Sequence, residues 1–119
     1  MSFDLEKTAE DYFTAFAKKD LAKLDEIFAD EIVLWDPLVN EVSSKAKVLE
    51  ANKAVFDGTQ KIDFVFKRIF VDQSKNAAIA ELKIEFDGKL IEVVDILEFN
   101  DSGKLAKITA YLDSKQVSS

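Results

Sequence analysis

The fold of this chain is decided by the stretch Leu90-Ile91-Glu92-Val93-Val94-Asp95-Ile96-Leu97-Glu98-Phe99, in which the side chains alternate with a period of two. The odd positions are apolar except for Asp95, and the even positions include Glu92 and Glu98. Such alternation is typical of a β-strand that buries one face. The stretch therefore predicts a long strand in an antiparallel sheet.

Three more segments with the same period surround this strand. They run from Ile62 to Val71, from Ala77 to Phe86 and from Leu105 to Leu112. The connections carry turn residues, as in Asp87-Gly88-Lys89 and Asn100-Asp101-Ser102-Gly103, and connections this short join antiparallel neighbours. Strands of about ten residues span roughly 34 Å, so we expect the sheet to twist and curl.

The first half of the chain has helical periodicity instead. A first stripe consists of Leu5, Ala9, Tyr12, Phe13 and Phe16. Asp20 is a candidate N-cap for a second helix, with Leu21, Leu24, Ile27 and Phe28 as its buried face. Ser43 or Ser44 can cap a third helix that carries Val48, Leu49, Val55 and Phe56 and ends at Gly58.

Between the second and third helices, the run from Ile32 to Trp35 predicts a short strand that stops at Pro37. The resulting expectation is an α+β fold with three N-terminal helices packed on a strongly curved antiparallel sheet. This arrangement is a cone with one open end, formed as a single domain over residues 1–119.

Composition excludes several classes of function. The chain has 119 residues, a net charge of −7, no cysteine and no histidine. Disulfides, thiolate nucleophiles, Ser-His and Cys-His arrangements and the usual zinc sites are therefore ruled out. The acidic surface makes nucleic acid and membranes poor partners. The start Met1-Ser2-Phe3-Asp4-Leu5-Glu6 lacks the order of a signal peptide, so we expect a cytoplasmic protein.

Asp95 breaks the apolar pattern of its strand. A buried carboxylate is costly, so this group must pair, accept hydrogen bonds or stay protonated. The alternative is that its face of the strand is the solvent side, because Leu90, Val94 and Ile96 occupy the other face. Glu92 and Glu98 mark that other face as the wetter one, so we expect Asp95 to point inward.

Two further polar residues fall on faces that are expected to be buried. Tyr12 lies on the first helical stripe, where it is either a core tyrosine bonded to a carbonyl or part of a site. Asp36 lies on the same side of its strand as Ile32 and Leu34, which favours a place in the site. The alternative is that it only begins a turn, because Asp-Pro is a common turn opener. Together with Asp95, these residues would give an apolar pocket the groups for acid–base chemistry.

The sequence resembles ketosteroid isomerases and the wider nuclear transport factor two-like (SnoaL-like) superfamily. The likeness lies in Tyr12-Phe13, Lys19-Asp20-Leu21, the run from Ile27 to Glu31 and Trp35-Asp36-Pro37. It continues from Val94 to Leu105 and in Ala110-Tyr111. The departures are Phe56, the nearest aromatic on the third helix where many such isomerases carry a tyrosine, and the segment from Leu38 to Ser44.

The resemblance implies a role for each of the three polar residues. Tyr12 and a protonated Asp95 would form an oxyanion hole, and Asp36 would shuttle a proton. The implied reaction moves a double bond next to a ketone in an apolar substrate, with no cofactor and no metal. Three alternatives remain, which are a non-catalytic binder of small apolar ligands, a protein-interaction module and a polyketide-cyclase-like enzyme.

We also expect a homodimer. The outward positions of the strand that begins at Ile62 include Val65, Ile69 and Val71, opposite an inward set of Ile62, Phe64, Phe66 and Phe70. A sheet with two apolar faces needs a second cover. The resemblance implies that a second copy of the chain provides it, through pairing of the two sheets.

Overall fold

The computed structural model describes residues 3–117. Its helices are α1 (Leu5–Ala17), α2 (Leu21–Ile27) and α3 (Lys45–Asp57). Its strands are β1 (Phe28–Asp36), β2 (Asn40–Ser43), β3 (Ile62–Asp72), β4 (Ala77–Phe86), β5 (Lys89–Phe99) and β6 (Leu105–Tyr111). The predicted α+β fold is confirmed, with three helices packed against one curved sheet.

Side chains of the preceding residues begin the helices. The Asp4 carboxylate accepts a hydrogen bond from the Lys7 amide at 3.0 Å, and Asp20 accepts one from Lys23 at the start of α2. Ser44 caps α3, which settles the choice between the two serines. Three short helices can thus begin at defined points and present their apolar faces to the sheet.

The sheet has the strand order β2-β1-β6-β5-β4-β3. The predicted meander from β3 to β6 is confirmed, and Asp87 and Gly88 form the β4–β5 turn with positive φ at both residues. β1 lies beside β6 and runs parallel to it. This pairing and the short strand β2 were not predicted, because no local pattern reports contact between segments about 70 residues apart.

β1 is longer than expected. It begins at Phe28, which was predicted to extend the buried face of α2. Helix α2 ends one residue earlier, and Phe28 is fully buried as the first residue of the strand. The Phe28 ring therefore reaches the core from an extended backbone, and α2 does not need to continue to this residue.

A bulge in β3 reverses the predicted faces of that strand. Phe64 pairs with Ile84 and Phe66 with Lys83, so Val65 is the extra residue. Beyond the bulge, Phe66 and Phe70 lie on the outer face, where they are 40% and 52% exposed. Placing them inward and Ile69 outward was wrong, because one inserted residue shifts the period-two register.

The core lies between the concave face of the sheet and the helices. Its largest fully buried side chains are Phe13, Phe28, Leu24, Ile32, Leu82, Leu97, Leu105 and Ile108. Of the helices in residues 3–117, none combines the length and the apolar character that crossing a membrane requires.

Candidate active site

A cavity of about 470 Å³ opens between the helices and the concave face of the sheet. This volume is in the range of pockets that bind small molecules. Most of its walls are apolar. Its polar lining residues are Tyr12, Asp36, Asn52, Thr59, Lys89 and Asp95.

The structure places all three predicted site residues around this one cavity. Asp95 lies in the middle of β5 and is only 8% exposed, on the inner face that the alternation predicts. Its neighbours across the sheet are Ala80 of β4 and Ala110 of β6. Because both are alanines, the space above the carboxyl group stays open to the cavity.

Burial changes the acidity of Asp95. Removal from water, together with a smaller effect of the negative charge of Asp36, raises the pKa of its carboxyl group to about 7. No described residue forms a hydrogen bond with this carboxyl group, so its oxygens remain available to a ligand. Near neutral pH a substantial fraction of Asp95 is protonated and can donate a hydrogen bond.

Tyr12 reaches the cavity from α1, and its ring is 5.1 Å from that of Phe13 and 6.1 Å from that of Phe28, centroid to centroid. Burial raises the pKa of the phenol well above its usual value, with smaller contributions from the charges of Asp95 and Asp36. The hydroxyl therefore keeps its proton at any ordinary pH. It is a hydrogen-bond donor that faces an apolar space.

Asp36 lies at the end of β1 and also shapes the following turn. Its Oδ1 accepts hydrogen bonds from the amides of Leu38 at 2.7 Å and Val39 at 2.9 Å. The turn-forming and site interpretations of this residue are therefore compatible. These bonds fix the orientation of the carboxylate and use one oxygen, which leaves Oδ2 for a proton.

Apolar residues surround the mouth of the cavity. Leu38 and Val39 come from the β1–β2 turn, and Val117 comes from the C-terminal segment. Gln116 positions that segment, since its side-chain amide accepts from the Glu92 amide at 2.8 Å and donates to the Glu92 carbonyl at 3.0 Å. These two bonds continue the sheet pairing at Glu92, beyond the end of β6.

Sequence reasoning missed Asn52. This residue lies on α3 and is only 6% exposed, with its side chain in the cavity wall. Val48 and Phe56, one turn to either side, are buried with it. The signal was a polar residue at the i+4 position of an apolar stripe, the helical equivalent of the pattern that revealed Asp95.

The described residues, 3–117, contain no group of three or more histidine, cysteine, aspartate or glutamate side chains that could hold a metal ion. The mainly apolar cavity is lined by two carboxyl groups, a phenol and an amide, and also by Thr59 and Lys89. Such groups can transfer protons and form hydrogen bonds with a small molecule.

Solved structures of similar shape carry several different names. A protein from Kribbella flavida DSM 17836, provisionally named a ketosteroid isomerase, has 15% identity and a TM-score of 0.79, covering 94% of this chain and 79% of its own. A provisionally named SnoaL-like polyketide cyclase from Shewanella denitrificans OS-217 has 16% identity and a TM-score of 0.81, covering 96% and 93%. An LEH-like epoxide hydrolase from M. tuberculosis has 15% identity and a TM-score of 0.77, covering 97% and 86%.

At such identities these likenesses show the fold and leave the reaction open. No curated protein sequence matches this chain. The sequence does match the SnoaL-like domain over residues 9–108, which include the three predicted site residues. The chain therefore belongs to the SnoaL-like domain family, within the nuclear transport factor two-like fold.

Proposed function

We propose that this chain is a ketosteroid isomerase-like enzyme that moves a carbon–carbon double bond next to a ketone in an apolar substrate. The observation that carries the proposal is the cavity shared by Tyr12, Asp36 and Asp95. Within it, burial favours the protonated form of Asp95, and Asp36 has one oxygen held by the backbone and one unbound. Two donors and one base are the groups that this reaction requires.

The reaction consists of two proton transfers. Asp36 Oδ2 takes the proton from the carbon between the carbonyl group and the β,γ double bond, which leaves a dienolate. Tyr12 and protonated Asp95 donate hydrogen bonds to the dienolate oxygen and stabilise its negative charge. Asp36 then returns the proton to the γ carbon, so the double bond becomes conjugated with the ketone and the enzyme is unchanged.

The oxyanion donors act best where water is excluded. Tyr12 and Asp95 are each more than nine-tenths buried, in a site with few competing polar groups. Hydrogen bonds to a developing charge are stronger in such surroundings than in water. The same surroundings raise the pKa of Asp95, so one physical cause both favours the donor form and strengthens its bond.

The test follows deuterium uptake and double-bond migration in small β,γ-unsaturated ketones, beginning with 3-cyclohexen-1-one and its bicyclic analogues. We expect the wild type to convert at least one of them to the conjugated ketone in D2O. Asp36→Asn should abolish the conversion and keep ligand affinity, because an amide oxygen can still accept from Leu38 and Val39. Asp4→Asn is the matched control, since Asp4 also accepts a backbone hydrogen bond but is exposed at the start of α1.

Each other outcome points to a different function. Deuterium uptake that depends on Asp36 without double-bond migration would favour a polyketide-cyclase-like reaction, which begins with the same proton abstraction. Equal and slow exchange by the wild type and Asp36→Asn on every ketone would overturn the proposal. A cavity that binds these ketones without exchange would belong to a ligand-binding protein.

A further inference from the structure

Asn52 stands apart from the other buried polar groups of this molecule. Among buried side-chain nitrogen and oxygen atoms within residues 3–117, its Nδ2 is the one without a hydrogen-bond partner. Buried amide groups in folded proteins are almost always paired, because leaving a donor unbonded costs free energy. Leucine has a similar volume and would avoid this cost at the same position. The amide therefore needs an explanation outside the folding of the chain.

The position of the amide suggests one. Asn52 lines the cavity that Tyr12, Asp36 and Asp95 line. Helices α1 and α3 meet where the rings of Phe16 and Phe56 are 5.2 Å apart, centroid to centroid. Tyr12 and Asn52 each lie one helical turn before that contact, so two helices each provide one polar side chain to the cavity wall.

Nδ2 is enclosed by the cavity wall, and a turn of the amide about χ2 would bring this donor to the cavity, where a ligand oxygen could accept its hydrogen bond. In the proposed function Tyr12 of α1 and Asp95 of β5 bind one oxygen, whereas Asn52 lies on α3 and offers its donor to a second one. An amide donor in an apolar wall is suited to a neutral acceptor, because a charged group would lose its hydration there. Two fixed polar points in an apolar cavity would determine both the orientation and the class of the ligand.

We propose that Asn52 is a specificity-determining residue that donates a hydrogen bond to a second acceptor oxygen of the substrate. The substrate class is then an apolar ketone that carries another carbonyl, ether or hydroxyl oxygen away from the carbonyl that is enolised. The inference rests on the proposed function for the binding of the first oxygen. The role of Asn52 itself is measured by binding alone.

The test uses phenols as mimics of the dienolate. The parent probe is 2-naphthol, whose hydroxyl oxygen takes the place of the dienolate oxygen. Its 5-, 6- and 7-acetyl derivatives present a second acceptor in three directions. The matched isopropenyl compounds have the same shape with a CH2 group in place of that oxygen. Dissociation constants are measured by calorimetry for the wild type, Asn52→Leu, Asn52→Ala and Tyr12→Phe.

We expect at least one acetyl compound to bind the wild type about tenfold more tightly than its isopropenyl partner. The preference should disappear in both Asn52 variants, whereas both should still bind 2-naphthol, which lacks a second oxygen. Without ligand, Asn52→Leu should have a higher melting temperature than the wild type, because it no longer buries an unpaired donor. A residue that only stabilised α3 would lower that temperature and leave the preference intact.

The two proposals fail in different ways. If Tyr12→Phe binds 2-naphthol as tightly as the wild type, the oxyanion pair of the proposed function is wrong. If the acetyl preference survives in Asn52→Leu and Asn52→Ala, or if the wild type shows no preference for any acetyl isomer, the role of Asn52 is wrong. Absence of binding by all of these compounds to the wild type would overturn both.

Discussion

Asp36 and Asp95 lie in one row of the concave sheet face, separated by a single strand. Trp35 of β1 pairs in parallel with Thr109 of β6, so Asp36 lies beside Ala110, the next residue of β6. Ala110 pairs in turn with Asp95 of β5. Two strand spacings put the α-carbons of the two aspartates roughly 10 Å apart. The two aspartates thus lie on either side of Ala110, and a small substrate could lie over its methyl group.

Filling this gap should strongly reduce the proposed isomerase activity. Ala110→Leu would place a bulky side chain between the base and the oxyanion hole, and we expect a loss of about 100-fold in kcat/KM for ketone isomerisation. The fold should survive, because the added atoms enter a cavity and not packed core. Lys107→Leu, at an exposed outer-face position of the same strand, is the control and should keep its activity. Normal turnover by Ala110→Leu would show that the reaction does not use the space between the aspartates.

The activity should depend on the protonation of Asp95. Its pKa is about 7, so kcat/KM should fall as the pH rises above that value and the donor becomes a carboxylate. The loss should level off at about 100- to 1000-fold, when Tyr12 alone remains as a donor. A profile of kcat/KM from about pH 5 to about pH 10.5 measures both the decline and the plateau.

The Asp95→Asn variant separates this effect from other titrations. Its amide is a donor at every pH, so its profile should lose the decline above pH 7. Its maximal kcat/KM should stay close to that of the wild type. A variant that declines at the same pH as the wild type would mean that another group is responsible.

The free energy of unfolding should also depend on the protonation of Asp95, and its raised pKa sets the direction of that dependence. Folded Asp95 keeps the proton that the unfolded chain releases near pH 3.8, so the free energy of unfolding should fall as pH rises from about 4 to about 7. The full penalty is on the order of 4 kcal/mol above pH 7. Relative to the wild type, Asp95→Asn should therefore gain stability steadily across this range.

Urea denaturation of both proteins at pH 4.5 and pH 8 measures the difference. Glu98→Gln changes an exposed carboxylate on the outer face of the same strand, and its difference from the wild type should stay constant. If Asp95→Asn also kept a constant difference, burial would not control this carboxyl group.

We still predict a homodimer, now through a defined row of outer-face residues. This row crosses five neighbouring strands, from β3 to β1, and each member pairs with the next one. Its members are Phe70, Ile79, Ile96, Thr109 and Trp35. Ile79 is 43% exposed and Tyr111, whose ring contacts Trp35, is 54% exposed. Apolar surface that is exposed and continuous over several strands is typical of a protein–protein interface.

Sedimentation at micromolar concentration should give twice the chain mass of 13.4 kDa. Ile79→Lys should produce monomers, because a lysine in the centre of the row cannot be buried without a partner. Leu90→Lys, a similar change on the same face outside the row, should remain dimeric. A wild type that sediments at the mass of one chain would refute the prediction.

Much of the fold follows from local patterns in the sequence. Period two from residue 62 onward and period 3.6 before residue 58 gave the correct order of three helices and the four-stranded meander. Capping residues such as Asp20 and Ser44 fixed where helices begin, since they act on amides only three residues away. Asp95 was placed inward by simple alternation, because β5 has no bulge before it.

Tertiary structure alone decided the features that depend on distant contacts or on one added residue. The bulge at Val65 reversed the faces of β3, and nothing local in an alternating apolar strand marks where such an insertion falls. The parallel pairing of β1 with β6 set Asp36 beside Ala110 and hence across from Asp95. Sequence determines which residues are unusual for their position, because burial and periodicity are local. Only the packed chain determines which of them share a cavity, because that depends on contacts between segments far apart in sequence.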